Sequence, residues 1–150
     1  MRNDFLQIVF LMLVLIVGTC CEELLPRVLG VGFPVLLTAV QFLSARGNPV
    51  LSVFFAMAAG AMEDGLSSLT PMTSVSYFLL TAILVRRTGQ PCVMTVLTYP
   101  CYQLWLAVWT GGMNVFSRIL LAFPIGLATA VFVVWALSGT MRKAAIDERG

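Results

Sequence analysis

Two pairs of adjacent carboxylates close apolar stretches of this chain, Glu22-Glu23 and Glu63-Asp64. Acids in such a setting can transfer protons, bind a cation or fold a turn. The sequence contains no histidine, which removes Ser-His and Cys-His catalysis and the histidine-bearing zinc sites. Its aspartates are Asp4, Asp64 and Asp147. An aspartyl dyad needs two of them at one site, and the topology derived below separates Asp64 from the other two. The four acids share one side in that topology and offer oxygen ligands. A hard cation usually takes about six or more, and nothing in the spacing fixes such a shell. No metal, cofactor or catalytic group is expected. Cys20, Cys21, Cys92 and Cys101 lack a CxxC spacing and read as small packing residues.

The remaining use is local. Asp64-Gly65 is a strong turn pair, and Ser67, Ser68, Thr70 and Thr73 offer further short-range bonds. Thr70 suits an N-cap, with Pro71 at the first helical position. A carboxylate at a helix C-terminus is opposed by the macrodipole by ~0.3–1 kcal/mol. The pair is therefore expected to fold a loop or to meet a partner's cation.

The elements that carry these residues follow from composition. The chain is 59% hydrophobic and 11% charged over 150 residues, with a mean hydropathy of +0.95. A soluble domain keeps roughly a quarter of its residues charged. One integral membrane domain is the expectation, of all-α class, and the net charge of +2 offers no basic patch for nucleic acid. Apolar runs fall at residues 5–21, 28–43, 50–62, 71–85, 91–109 and 115–137, followed by a polar tail at 141–150. Six transmembrane helices are predicted, with five as the rival count. A crossing needs about 20 residues and at least ~17, so the third run is short. Gly47-Asn48-Pro49, Thr88-Gly89 and Gly111-Gly112 punctuate the runs, and Gln90-Pro91 reads as a helix start. Pro34, Pro100 and Pro124 fall inside runs as tolerated kinks.

With six spans and both termini inside, every basic residue except Arg27 and Arg118 lies on the inner side, as the positive-inside rule requires. The first run is not read as a cleaved leader, because an acidic segment follows it. Ala56 with Gly60, and Gly126 with Ala130, put small residues at helical spacing, where membrane helices pack closely.

Two resemblances bear on function. Glu22-Glu23-Leu24-Leu25-Pro26-Arg27 resembles the glutamate pair of the CAAX-processing intramembrane proteases, but that family also needs later histidines, which this chain lacks. Over residues 5–87 the chain resembles the MreD family of bacterial rod-shape-determining membrane proteins. The likeness lies in Leu24–Arg27 closing the first helix, the Gly30-Val31-Gly32 link, and Ala45-Arg46-Gly47 closing the second. It continues in a glycine-bearing helix ending at Gly60, Asp64, Leu66 and Ser67, with Pro71 in the next loop. Ser68 and Thr73 depart from the family's usual glycines, and Glu63 and Gly65 from its apolar residues.

That resemblance implies a six-helix fold similar to the substrate-binding S-components of energy-coupling-factor (ECF) transporters. It implies a non-enzymatic scaffold of the cell-elongation, peptidoglycan-synthesising machinery in the bacterial cytoplasmic (inner) membrane. The implied direct partner is an MreC-like single-span protein. The MreB filament system, a RodA-type glycosyltransferase and an elongation penicillin-binding protein share the complex. Partner-contacting or loop-structuring residues are then expected among Glu22, Glu23, Pro26, Arg27, Asp64, Gly65, Ser67 and Pro71. The alternative is a vitamin-binding subunit of an ECF-type transporter, with Met57, Tyr99, Gln103 and Asn114 lining an outward pocket.

Overall fold

A computed structural model describes residues 2–29, 32–66, 72–110 and 115–147, and side chains at 8–22, 28, 32–66, 72–109 and 119–139. Six helices make up the described residues, with no strand among them: α1 (Arg2–Leu29), α2 (Val35–Arg46), α3 (Pro49–Leu66), α4 (Thr73–Thr88), α5 (Pro91–Thr110) and α6 (Val115–Asp147).

The punctuation residues account for several of these limits. Asn48 Oδ1 accepts the Val50 N–H at 3.0 Å, so asparagine caps α3 and Pro49 takes the first helical position. Pro91 opens α5 in the same way. Gly89 closes α4 at φ 67, and its N–H reaches the Val85 carbonyl at 2.8 Å. That left-handed conformation suits glycine.

Other limits correct the expectations. α1 runs on to Leu29, so Glu22, Glu23, Pro26 and Arg27 belong to a helix and not to a loop. α3 runs on to Leu66 and takes Glu63, Asp64 and Gly65 into its last turn. The expected Asp-Gly turn is absent there because Asp64 finds its N–H partner on the next helix, as described below. α4 opens at Thr73 rather than Pro71, while Ser67 and Pro71 lie outside the described residues. Pro34 precedes α2 instead of kinking it, which fits a residue without an N–H to donate. The expected tail is helical as far as Asp147.

α2 is the centre of the molecule and touches each of the other five helices. Its residues from Leu36 to Ser44 are all buried. Leu36, Ala39, Val40 and Phe42 have no accessible surface. A helix apolar all round belongs inside. At 12 residues it is about 18 Å long, short of the ~30 Å hydrocarbon core. The short element is thus the second and not the third, which has 18 residues.

The outside is apolar and the inside carries polar groups. Ile16, Phe54, Ile83, Val108, Leu120, Phe132 and Trp135 are exposed, whereas Thr38, Gln41, Ser74 and Thr95 are wholly buried. Soluble domains show the opposite trend, and a continuous apolar surface of this kind is one that lipid covers. Among the described residues, Pro49–Leu66, Pro91–Trp109 and Ile119–Gly139 are long and apolar enough to cross a membrane. The apolar stretches Ile8–Glu22 and Val35–Arg46 are shorter.

Small residues sit where helices meet. A Cβ on Gly60 would lie 2.5 Å from Val75 Cα and 2.7 Å from Val75 N, so the α3 and α4 backbones touch there. A Cβ on Gly126 would meet the Tyr99 ring at 3.3 Å, between α6 and α5. Ala56 and Ala130 are fully buried. By contrast, Gly65 is exposed, with open space where its Cβ would stand. Gly60→Ala should therefore destabilise the protein by about 1–3 kcal/mol through overpacking. Gly65→Ala should be neutral or stabilising by up to ~1 kcal/mol. Thermal unfolding of the two variants in the same detergent checks the contrast.

Candidate functional site

Glu22, about two turns before the end of α1, and Glu63, in the last turn of α3, meet at one cavity. Glu22 is half-buried, and its Oε1 accepts the Leu36 N–H at 2.7 Å, in the first turn of α2. A helix N-terminus presents unpaired N–H groups and a positive dipole end, so a carboxylate is well placed there. Glu63 stands in the wall of the same cavity as Glu22.

Successive residues of a helix point about 100° apart, so Glu63 and Asp64 serve different neighbours. Asp64 is 6% exposed, and its Oδ1 accepts the Ser74 N–H at 2.7 Å, in the first turn of α4. Met72, the residue before that helix, has φ 74 and no side-chain capping bond of its own. Asp64 therefore supplies the cap from the neighbouring helix. Its Oδ2 is buried without a hydrogen-bond partner among the described residues.

From Ser74 the bonds continue into α5. Ser74 Oγ and Tyr102 Oη are 2.7 Å apart. Trp105 Nε1 donates to the Thr73 carbonyl at 3.1 Å, and Tyr77 Oη to the Thr98 carbonyl at 2.5 Å. Tyr99 Oη donates to the Gly32 carbonyl at 2.8 Å, fastening the link before α2 to α5. Deeper in the bundle Gln41 is fully buried: its Nε2 donates to Thr98 Oγ1 at 2.6 Å, and its Oε1 accepts from Thr95 Oγ1 at 2.6 Å.

Between the acid pair and α5 lies a cavity of about 60 Å³, with Glu22, Glu63, Tyr99, Tyr102, Gln103 and Phe78 in its walls. At ~30 Å³ per water molecule, it holds roughly two. No lysine or arginine lines it among the described residues. The arrangement places two carboxyls and the Tyr99 and Tyr102 side chains around one small space. No described group stands poised as a nucleophile next to a general base, since the Ser74 hydroxyl is shared with Tyr102.

No family model, curated protein or solved structure matches this chain.

The structure thus brings Glu22 and Glu63, two of the four acids that the predicted topology put on one side, into the wall of one cavity. Asp64 is near them but committed to α4, and Gly65 faces outward. The side chains of Glu23, Pro26, Arg27, Ser67 and Pro71 lie outside those described. Of the residues expected in a pocket, Tyr99 and Gln103 line the cavity, Met57 is exposed, and Asn114 lies outside the described residues. Among the described residues no group of three or more metal-ligating side chains assembles. Once α1 and α3 are carried past their apolar runs, both acids ride on helices, and those helices touch.

Removing the cap tests its contribution. Asp64→Ala should cost about 0.5–2 kcal/mol, while Asp64→Asn, which keeps an oxygen acceptor, should lose much less. Denaturant or thermal unfolding of the purified variants provides the comparison.

Proposed function

We propose that this chain is a non-enzymatic scaffold subunit of the bacterial cell-elongation machinery, of MreD type. It would reside in the inner membrane as a six-helix protein with both ends cytoplasmic, and hold an MreC-like single-span partner. One observation carries the preference for a scaffold over an enzyme: the chemistry-bearing side chains are engaged in fastening helices together. Glu22 is spent on α2, Asp64 on α4 and Gln41 on α5. The ordered likeness of residues 5–87 to the MreD pattern supplies the family.

The cavity weighs against the transporter alternative. About 60 Å³ is well below the roughly 300–1,000 Å³ of sites that enclose drug-sized ligands. The surface offered to a partner would then be the exposed rim beside it. Gly65 and Leu66 lie on that rim at the end of α3, and both are exposed.

Gly65 is the position at which to test both topology and contact. In a background lacking the native cysteines, Gly65→Cys should react with a membrane-impermeant maleimide added to intact cells. Tags at the two chain ends should remain protected. Gly65→Trp should lower co-purification of the MreC-like partner several-fold at unchanged melting temperature. Depletion in a rod-shaped host should round the cells. Unaltered co-purification and unaltered shape together would remove the assignment.

A further inference from the structure

Three exposed arginines end two helices of this bundle: Arg46 closes α2, and Arg86 and Arg87 lie in the last turn of α4. They share one side of the molecule. Tyr99 bonds the Gly32 carbonyl before α2 and Thr95 bonds Gln41 midway along it, so α5 runs against α2 and opens on the Arg46 side. The two-residue turn Gly89-Gln90 sets the end of α4 beside that opening. The described acids are remote from it, because Glu22 and Asp64 bond the starting turns of α2 and α4, and Glu63 lines the cavity with Glu22. Arg46 is partly ordered, its guanidinium carbon 5.3 Å from the centre of the Phe42 ring.

The helices that carry these arginines are short. α2 has 12 residues and α4 has 16, about 18 and 24 Å, against a hydrocarbon core of ~30 Å. α6 reaches further. Its Ala130 carbonyl is level with Cys92, near the start of α5, through a 3.9 Å contact with the thiol. The apolar run of α6 continues from there to Gly139, about 13 Å beyond. The turns Gly47-Asn48 and Gly89-Gln90 are too brief to carry the chain as far. The arginines thus stand on a shelf recessed from the level that α6 sets for the membrane surface. A guanidinium group is costly in hydrocarbon, so headgroups must dip to meet it. We propose that Arg46, Arg86 and Arg87 bind the phosphate headgroup of an anionic phospholipid, whose chains lie along the exposed Leu80, Ile83 and Leu84 of α4. Guanidinium and phosphate pair through two parallel hydrogen bonds. A zwitterionic lipid brings a cation of its own, which three arginines repel. The site needs a bilayer but no partner protein, so it stands apart from the scaffold assignment.

The test uses the full chain in a nonionic detergent, read by native mass spectrometry and by melting curves. Phosphatidylglycerol, phosphatidylcholine with the same acyl chains, and inorganic phosphate are added separately. Phosphatidylglycerol should stay bound at several-fold higher occupancy than phosphatidylcholine and raise the melting temperature by several degrees, while inorganic phosphate should leave it unchanged. Arg46→Gln combined with Arg86→Gln and Arg87→Gln should bring the two lipids to equal occupancy. Lysine at the same three positions should keep a reduced preference, since it retains charge but not the paired geometry. The site is overturned by equal occupancy of the two lipids on wild type, by a preference undiminished in the glutamine variant, or by a phosphate shift as large as that of the lipid. Should the triple variant fail to fold, Arg86→Gln with Arg87→Gln decides, since both positions are exposed.

Discussion

A helix packed against five others has little water with which to satisfy its polar groups, and α2 is in that position. Its first turn exposes N–H groups that lipid cannot meet, and an unsatisfied amide in such surroundings costs several kcal/mol. The Glu22 carboxylate meets one at Leu36. Thr38 and Ser44 bond back to the Pro34 and Val40 carbonyls, at 2.6 and 2.7 Å. Gln41 is held at both ends of its amide by α5. The surrounding helices are arranged around these obligations, which explains why polar side chains concentrate inside while the lipid-facing surface carries almost none.

The same economy governs the α3–α4 junction. A carboxylate at the end of α3 is opposed by that helix's own dipole. Asp64 avoids this by pointing at the start of α4, where the sign reverses and an N–H needs an acceptor. The close backbone approach at Gly60 brings the two helices near enough for that reach. One glycine and one aspartate thus act as a pair, the first allowing the contact from which the second gains its partner.

Composition and punctuation made the helical class legible, together with the breaks at Gly47-Asn48-Pro49 and Thr88-Gly89 and the helix start at Pro91. Each of these depends on a residue's own backbone preferences. The crossings are less legible: three helices have the length and apolarity to span a bilayer, while α2 falls short. The small residues at 56, 60, 126 and 130 were legible as a pattern, since close approach leaves room for little else. The ends of α1 and α3 were not. Hydropathy stops at Cys21 and Met62, but the backbone ladder continues wherever neighbours satisfy it, and those neighbours are distant in sequence. That Glu22 and Glu63 share a side was legible, whereas their meeting at one cavity depends on which helix surfaces face each other, and only tertiary packing determines that.

The separation of these contacts along the chain also orders assembly. The meeting of Gly60 with Val75 joins helices next to each other in sequence, so that hairpin can close as soon as α4 emerges from the ribosome. The bonds from Gln41 to Thr95 and Thr98 span 54 and 57 residues and must wait for α5. Until then α2 carries an unshielded amide on a segment too short to rest stably across the bilayer. Both bonds of the Gln41 amide therefore form only once α5 is in place.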